Sequence, residues 1–249
     1  MQSYAAGREI DREWAEACEV QRGFMPDLLP GIETLSCSAR CRQLRELGGD
    51  CYDFVPLTEN RLAVTVGDAS GKGLAAALMI SNVQSALRTA ALLKGDDGTA
   101  VLELVNRQVH ASALSDRYAT LFYGVFDSST RTLHYVNAGH NPPMVIRRGG
   151  SIDWLETGGA PVGIFSGWTY EEGAIQLNPG DLVLAYTDGV TEVMNPAGEQ
   201  WGVEGLQKAA AENAQQSPED IVHAIFESID EFSRGRQTDD ETVVVMRVQ

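Results

Sequence analysis

The apolar residues of this chain change period along its length, and that change sets the fold class. Arg61 to Val66 is a short run of β-branched and apolar residues that reads as a strand. Gly71 to Leu93 follows directly and is rich in Ala and Leu at helical spacing. Thr99 to Leu114 reads as a second helix after the turn Lys94 to Gly98. Further strands are expected at Ile32–Ala39, Gly49–Pro56, Tyr118–Asp127, Leu133–Ala138, Pro143–Arg147, Ser151–Leu155, Glu172–Leu177, Asp181–Tyr186 and Thr242–Val248. Ser128-Ser129-Thr130 is a hairpin signal, and Pro218 to Phe232 reads as a late helix. Strands before, between and after two long helices predict one mixed α/β domain with antiparallel sheets. Ahead of it, Arg8 to Phe24 reads as a helix with Ile10, Trp14, Ala17, Cys18 and Gln21 near one face. The segment Pro26 to Gly31 is expected to be a rigid link.

Charge narrows the partners. The 35 acidic residues exceed the 19 basic ones by 16, giving a formal charge of −16. Nucleic acids and anionic membranes call for a positive face, so neither is expected as a partner. Leu74 to Leu93 is the longest apolar stretch, but Ser81, Asn82, Gln84, Ser85, Arg88 and Thr89 interrupt it. It fails as a span of about 20 apolar residues. The N-terminus shows no apolar segment of signal-peptide type. Cys18, Cys37, Cys41 and Cys51 lack paired zinc-knuckle spacing, and His110, His134, His140 and His223 do not supply it. Free thiols and a cytoplasmic location are the expectation.

The chemistry lies in acids at four strand ends or adjacent turns. They stand in Gly48-Gly49-Asp50-Cys51-Tyr52-Asp53, Val66-Gly67-Asp68-Ala69-Ser70-Gly71, Tyr186-Thr187-Asp188-Gly189 and Thr238-Asp239-Asp240-Glu241-Thr242. Glycine beside an acid permits a tight turn and close approach of a ligand. Hard divalent cations take carboxylate, carbonyl and water oxygens. One Asp-Gly pair is only a turn signal; four such acids beside apolar strands point to a cation site. Rival motifs fail on spacing. Gly67 to Gly71 encloses three residues rather than the four of a Walker A loop. Gly71-Lys72-Gly73-Leu74-Ala75-Ala76 fits a dinucleotide fingerprint, yet Asp96 follows a long helix without the second strand of a βαβ unit. Asp96-Asp97-Gly98 lacks the ligand alternation of an EF-hand, and there is no G-x-S-x-G elbow.

In sequence order these motifs resemble the bacterial SpoIIE/RsbU-type serine phosphatases, a branch of the metal-dependent PPM (PP2C-like) family. The landmarks are Leu28-Leu29-Pro30, Gly48 to Phe54, Gly67 to Gly73 with Ala75-Ala76-Ala77-Leu78, Ala119-Thr120-Leu121, Asn137 to Pro142, Tyr186 to Glu192, and Asp239 to Thr242. The resemblance implies an α+β fold, a PPM-type αββα sandwich of two antiparallel sheets flanked by helices. It divides the chain into an N-terminal linker helix, residues 1–27, and a phosphatase domain, residues 28–249. It implies two Mn²⁺ or Mg²⁺ ions held by Asp50, Asp68, the backbone carbonyl of Ala69, Asp188 and Asp239, with Asp68 bridging. Asp240 is the lesser candidate of its pair, and Asp53 is expected to be structural. The implied reaction is hydrolysis of phosphoserine or phosphothreonine by a metal-activated water, without a covalent enzyme intermediate. The alternative is a catalytically silent scaffold of the same fold; retention of all four Asp positions favours activity.

The resemblance also implies a phosphorylated protein substrate, of the STAS-domain anti-sigma-factor antagonist type, and an upstream sensor domain or subunit. About 25 residues precede the core, too few for a sensor, so the expectation is a fragment or a separately regulated chain. The helix Arg8 to Phe24 is expected either to serve as linker and homodimer contact or to pack on its own domain, and the helix from Gly73 is an expected gate for metal binding. His140, Lys72 and Arg45 are expected to be structural or surface residues, and Trp14, Trp154, Trp168 and Trp201 to serve packing. Repulsion between an acidic protein and a phosphoprotein makes local contacts, rather than long-range steering, the expected basis of recognition.

Overall fold

The computed structural model describes residues 2–26, 32–95, 97–112 and 117–249. The Leu28-Leu29-Pro30 landmark, most of the expected link, and Asp96 lie outside these residues. The elements, in chain order, are α1 (Gln2–Arg22), β1 (Leu35–Arg42), β2 (Asp50–Thr58), β3 (Arg61–Ala69), α2 (Leu74–Lys94), α3 (Gly98–Ser112), β4 (Ala119–Asp127), β5 (Thr132–Ala138), β6 (Met144–Ile146), β7 (Ile152–Trp154), β8 (Gly158–Gly159), β9 (Gly173–Gln176), β10 (Leu182–Tyr186), α4 (Asp188–Thr191), α5 (Gly202–Glu212), α6 (Pro218–Ser233) and β11 (Glu241–Val248).

Two sheets form from these strands. One has the order β1-β11-β10-β6-β7; the other has the order β2-β3-β4-β5-β8, with β9 also on β5. Pairing is antiparallel throughout, except for the two-residue parallel contact of β5 with β8. The period-2 alternation of each strand sorts its side chains between two cores. In β3, Leu62, Val64 and Val66 enter the core between the sheets, while Ala63 and Ala69 face α2 and α3. In β11, Val244, Met246 and Val248 enter the same inter-sheet core, while Val243 and Val245 pack on α5 and α6. Three apolar layers therefore build a sandwich of helices, sheet, sheet and helices, as expected.

Local signals explain the helix ends. Gly71 and Gly73 hold positive φ, so α2 begins at Leu74 rather than Gly71. Ser217 caps α6 by accepting from the Asp220 backbone N–H at 3.2 Å, with Pro218 in the first turn. Two expectations need correction. The first strand runs Leu35–Arg42 rather than Ile32–Ala39, because its register with β11 places Arg42 opposite Glu241. Helix α5 was not expected; its buried face is only Leu206, Ala209 and Ala210, too sparse for a period. Trp154 on the edge strand β7, and Trp168 stacked on Phe165, are packed at the edge rather than in the core.

Helix α1 packs on the domain. Trp14, Ala17 and Cys18 meet Leu47 and Ala77. The Gln21 amide donates to the Gly48 carbonyl at 2.8 Å and accepts from the Gly48 N–H at 3.2 Å. No helix among the described residues is long and apolar enough to cross a membrane.

One ion pair fixes α2 to its sheet. Asp53 points to the helix side of β2, is fully buried, and receives Arg88 Nε at 2.7 Å and a second guanidinium N–H at 2.9 Å. Arg88 also reaches the Phe24 carbonyl, so the pair ties the end of α1 to α2. Removing the cation leaves a buried carboxylate unpaired. Arg88→Ala is expected to lower stability by about 2–4 kcal/mol in urea denaturation, with Arg88→Lys recovering part of the loss. A loss under about 0.5 kcal/mol, the range of ordinary surface changes, would contradict this role.

Candidate metal centre at one end of the sandwich

Strand register gathers the acids. Asp50 opens β2 and lies directly opposite Asp68 near the end of β3. Asp68 in turn lies opposite Thr120 of β4. Asp50 shares its face with Tyr52 and Phe54, and Asp68 shares its face with Val64 and Val66, so both carboxyls turn toward the other sheet. From that sheet, β10 ends at Tyr186 just before Thr187 and Asp188, and β11 begins just after Asp239 and Asp240. All four predicted carboxylates therefore stand at the same end of the sandwich.

Threonine hydroxyls join the two sheets there. Asp50 Oδ2 accepts from Thr187 Oγ1 and from Thr242 Oγ1, each at 2.7 Å. Thr187 Oγ1 accepts in turn from the Thr242 N–H at 2.9 Å. Neither threonine was singled out from the sequence. A signal existed, since each falls within two residues of an acid and Thr242 is in phase with inward-facing Val244 and Met246.

The other acids have distinct partners. Asp239 Oδ2 receives the Lys72 ammonium at 2.5 Å. Asp240 accepts the Leu44 N–H at 2.7 Å on one oxygen and the Gly49 N–H at 2.6 Å on the other. It thus fastens the loop that leads into Asp50. Adjacent carboxyls in one motif do different things, and the sequence alone did not separate them beyond ranking Asp239 first. Among the described residues, no three acidic, His or Cys side chains converge into a ready-made ligand set.

Crowding is close enough to demand glycine. A Cβ on Gly49 would lie 3.2 Å from the Ala69 carbonyl oxygen and 3.4 Å from Asp68 Oδ1. A Cβ on Gly189 would lie 1.9 Å from the Asp240 carbonyl oxygen. The Ala69 N–H donates to the Gly49 carbonyl at 3.0 Å, which sets the Ala69 peptide beside Asp68.

The field of this cluster is negative and poorly compensated. Burial, then the charges of Asp188, Asp239 and Asp240, pushes the Asp68 carboxyl up to about 8. Burial and the Asp68 charge raise Asp50, against the opposing effect of its two threonine donors. Burial and Glu192 raise Asp188. Burial raises the thiols of Cys41 and Cys51 well above their ordinary value, so neither is a thiolate nucleophile.

His140 stands apart from the acids. It is buried, with Nδ1 2.9 Å from Thr120 Oγ1 and its N–H donating to Asn137 Oδ1 at 2.7 Å. Burial holds it down at about 4, so it is neutral at ordinary pH. Arg45 lies beside Gly73 and makes no ion pair among the described residues.

Comparison with known proteins places this arrangement. The sequence model of the family described as Stage II sporulation protein E (SpoIIE) matches residues 58–249. The chain is 28% identical over 241 residues to phosphoserine phosphatase RsbU of Bacillus subtilis, covering 96% of this chain and 71% of that protein. It is 28% identical over 254 residues to protein IcfG of Synechocystis sp., covering 92% of this chain and 40% of that protein. The SiaA-PP2C domain of Pseudomonas aeruginosa superposes with TM-score 0.86 at 21% identity, over 98% of this chain and 99% of that one. The catalytic domain of serine threonine protein phosphatase PstP, in complex with two manganese ions, superposes with TM-score 0.64 at 19% identity, over 86% of this chain and 98% of that one. With its αββα sandwich and a family match across most of its length, the chain belongs to the SpoIIE family.

Proposed function

We propose that the chain is a metal-dependent protein phosphatase acting on phosphoserine or phosphothreonine. The observation that carries this reading is the gathering of Asp50, Asp68, Asp188 and Asp239 at one sandwich end, where burial and then the neighbouring acids raise Asp68 to about 8. Such a cluster is destabilising unless cations occupy it. The donor set fits Mn²⁺ or Mg²⁺: it is all carboxylate and carbonyl oxygen, without thiolate or imidazole. The manganese complex of PstP and the name of RsbU support the same reading.

Asp50, Asp68, the Ala69 carbonyl, Asp188 and Asp239 are the residues that would hold the two proposed ions. The ions, when bound, supply an acidified water for attack and positive charge against the phosphoryl oxygens. Thr187 and Thr242 orient Asp50 from the opposite sheet. Asp240 fixes the loop before Asp50, so the two sheets keep their spacing at the site. Lys72 shields Asp239 and must yield when a cation arrives. No side chain of the cluster serves as a nucleophile.

The wider reading rests on the family resemblance of the sequence motifs: a substrate of the STAS-domain anti-sigma-factor antagonist class, and a catalytic domain at residues 28–249 preceded by a linker helix. That helix would then be the route of regulation and of homodimerisation, with its Gln21 contact to Gly48 as the link to the site.

Three outcomes test this function. Hydrolysis of p-nitrophenyl phosphate should depend on Mn²⁺ and fall about 100-fold or more in Asp68→Asn and Asp188→Asn. A folded chain without turnover in any divalent metal would instead be a silent scaffold. Thr242→Val should weaken Mn²⁺ binding about 10-fold in calorimetry while the chain stays folded; unchanged affinity would contradict the positioning role. Asp68 has a folded pKa near 8, above its unfolded value near 4. Its stabilising contribution is therefore full below about pH 4 and is lost as pH rises through 8. In EDTA, the melting temperature should fall between about pH 6 and about pH 9 by more in wild type than in Asp68→Asn, and Mn²⁺ should remove the difference. Parallel pH profiles for the two proteins in EDTA would contradict it.

A further inference from the structure

A rigid apolar platform stands beside the acidic end of the sandwich. The start of β4 lies between two segments. On one side, Ala119 is paired with Ala69, and the Tyr118 N–H donates to Ser70 Oγ at 3.0 Å. On the other side, Ala119 exchanges backbone hydrogen bonds with Val162 at 2.9 and 3.0 Å. The chain then runs through Gly163 into Ile164, Phe165 and Trp168. Buried Asn106 of α3 holds this stretch by accepting from the Gly163 N–H at 2.8 Å and donating to the Phe165 carbonyl at 2.7 Å. His110 Nδ1 adds a contact of 2.9 Å to the Gly163 carbonyl.

The backbone is therefore fixed, yet its large side chains face solvent. Phe165 is 54% exposed and Trp168 41% exposed, and their rings stack with centroids 5.5 Å apart. Ile164 and Tyr118 are exposed beside them. Asn106 fixes the backbone that carries these rings, and Trp168 also leans over Gly159; an exposed apolar patch on such a fixed backbone marks a contact surface. Between the platform and the acids stands Arg117. Its guanidinium lies against Gly71, 3.3 Å from where a Cβ would be, in the loop just after Asp68 and Ala69. Among the described residues Arg117 makes no ion pair, although the chain carries 16 more acids than bases. An unpaired cation there offers a local attraction on a surface that otherwise repels anions.

Resting on the phosphatase reading, we infer that this surface docks the protein substrate beside its phosphoserine. Arg117 takes a carboxylate close to the phosphoserine, and Phe165 with Trp168 takes apolar side chains farther along the same segment. The substrate class is thus a phosphoprotein whose phosphoserine is neighboured by an acid and then by apolar residues. Order along the rim sets this: acidic cluster, Gly71 loop with Arg117, then the aromatic platform.

The test compares three probes on the full chain with Mn²⁺. They are p-nitrophenyl phosphate, a phosphoserine peptide pair with Asp and then Leu-Phe on the N-terminal or C-terminal side, and a matched peptide with Gly and Ser at those places. Wild type should favour one of the Asp-Leu-Phe peptides by about 10-fold in kcat/KM. Phe165→Ser with Trp168→Ser, and separately Arg117→Gln, should erase most of that preference through KM, while turnover of p-nitrophenyl phosphate stays within about two-fold. No preference in wild type, or an equal loss on all three probes, overturns the docking surface. A folded wild type inactive on p-nitrophenyl phosphate with Mn²⁺ overturns the phosphatase reading and the docking surface with it.

Discussion

Like charges placed opposite each other on neighbouring strands repel, and the β2–β3 register does this with Asp50 and Asp68. The pair sits where the two sheets meet, with Asp50 buried and Asp68 partly so. The surroundings are organised around that repulsion. Thr187 and Thr242 cross from the other sheet to satisfy Asp50. Glycine at 189 lets backbone approach where a side chain would collide, and at 49 a side chain would be tightly pressed. Asp240 is turned out of the cluster to fasten the loop before Asp50, and Lys72 lends its charge to Asp239. Each contact makes the crowding of acids tolerable without removing it. That residual imbalance is the basis for proposing divalent cations at this end of the sandwich.

The sandwich also explains why the acids gather at one end. Each strand divides its side chains between the inter-sheet core and a helix layer, as β3 and β11 show. The carboxylates appear where this alternation runs out, at strand termini. Asp53, three residues beyond Asp50, falls on the opposite face and is absorbed by Arg88 on α2. The same residue type in the same motif is thus a cluster member at one position and a structural anchor at the other. Phase along the strand decides which.

Much of this was legible in the sequence, because period and spacing carry it. The two long helices and most strands follow from apolar periodicity, and the four acids follow from their places at strand ends. What escaped had no periodic signal. Helix α5 buries one Leu and two Ala, and β8 is two glycines. The first strand was displaced because Arg42 pairs with Glu241, a charged match that an apolar pattern ignores. Within the site, the distinction between Asp239 and Asp240 depends on which backbone N–H groups lie nearby, a matter of tertiary placement. The backbone that presents Phe165 is also fixed by a partner far away in sequence, Asn106, which no local pattern reveals.

The central claim is that the acids at this end of the sandwich form one cation site about Asp68. Diffraction from crystals grown with MnCl₂, recorded at the manganese absorption edge, tests it most directly. The account predicts two anomalous peaks, both within about 2.0–2.4 Å of Asp68 carboxylate oxygens, the range for a hard divalent ion. One should also meet Asp50 and the other Asp188 and Asp239. Manganese bound elsewhere, or none at Asp68 in a fully folded protein, would contradict it.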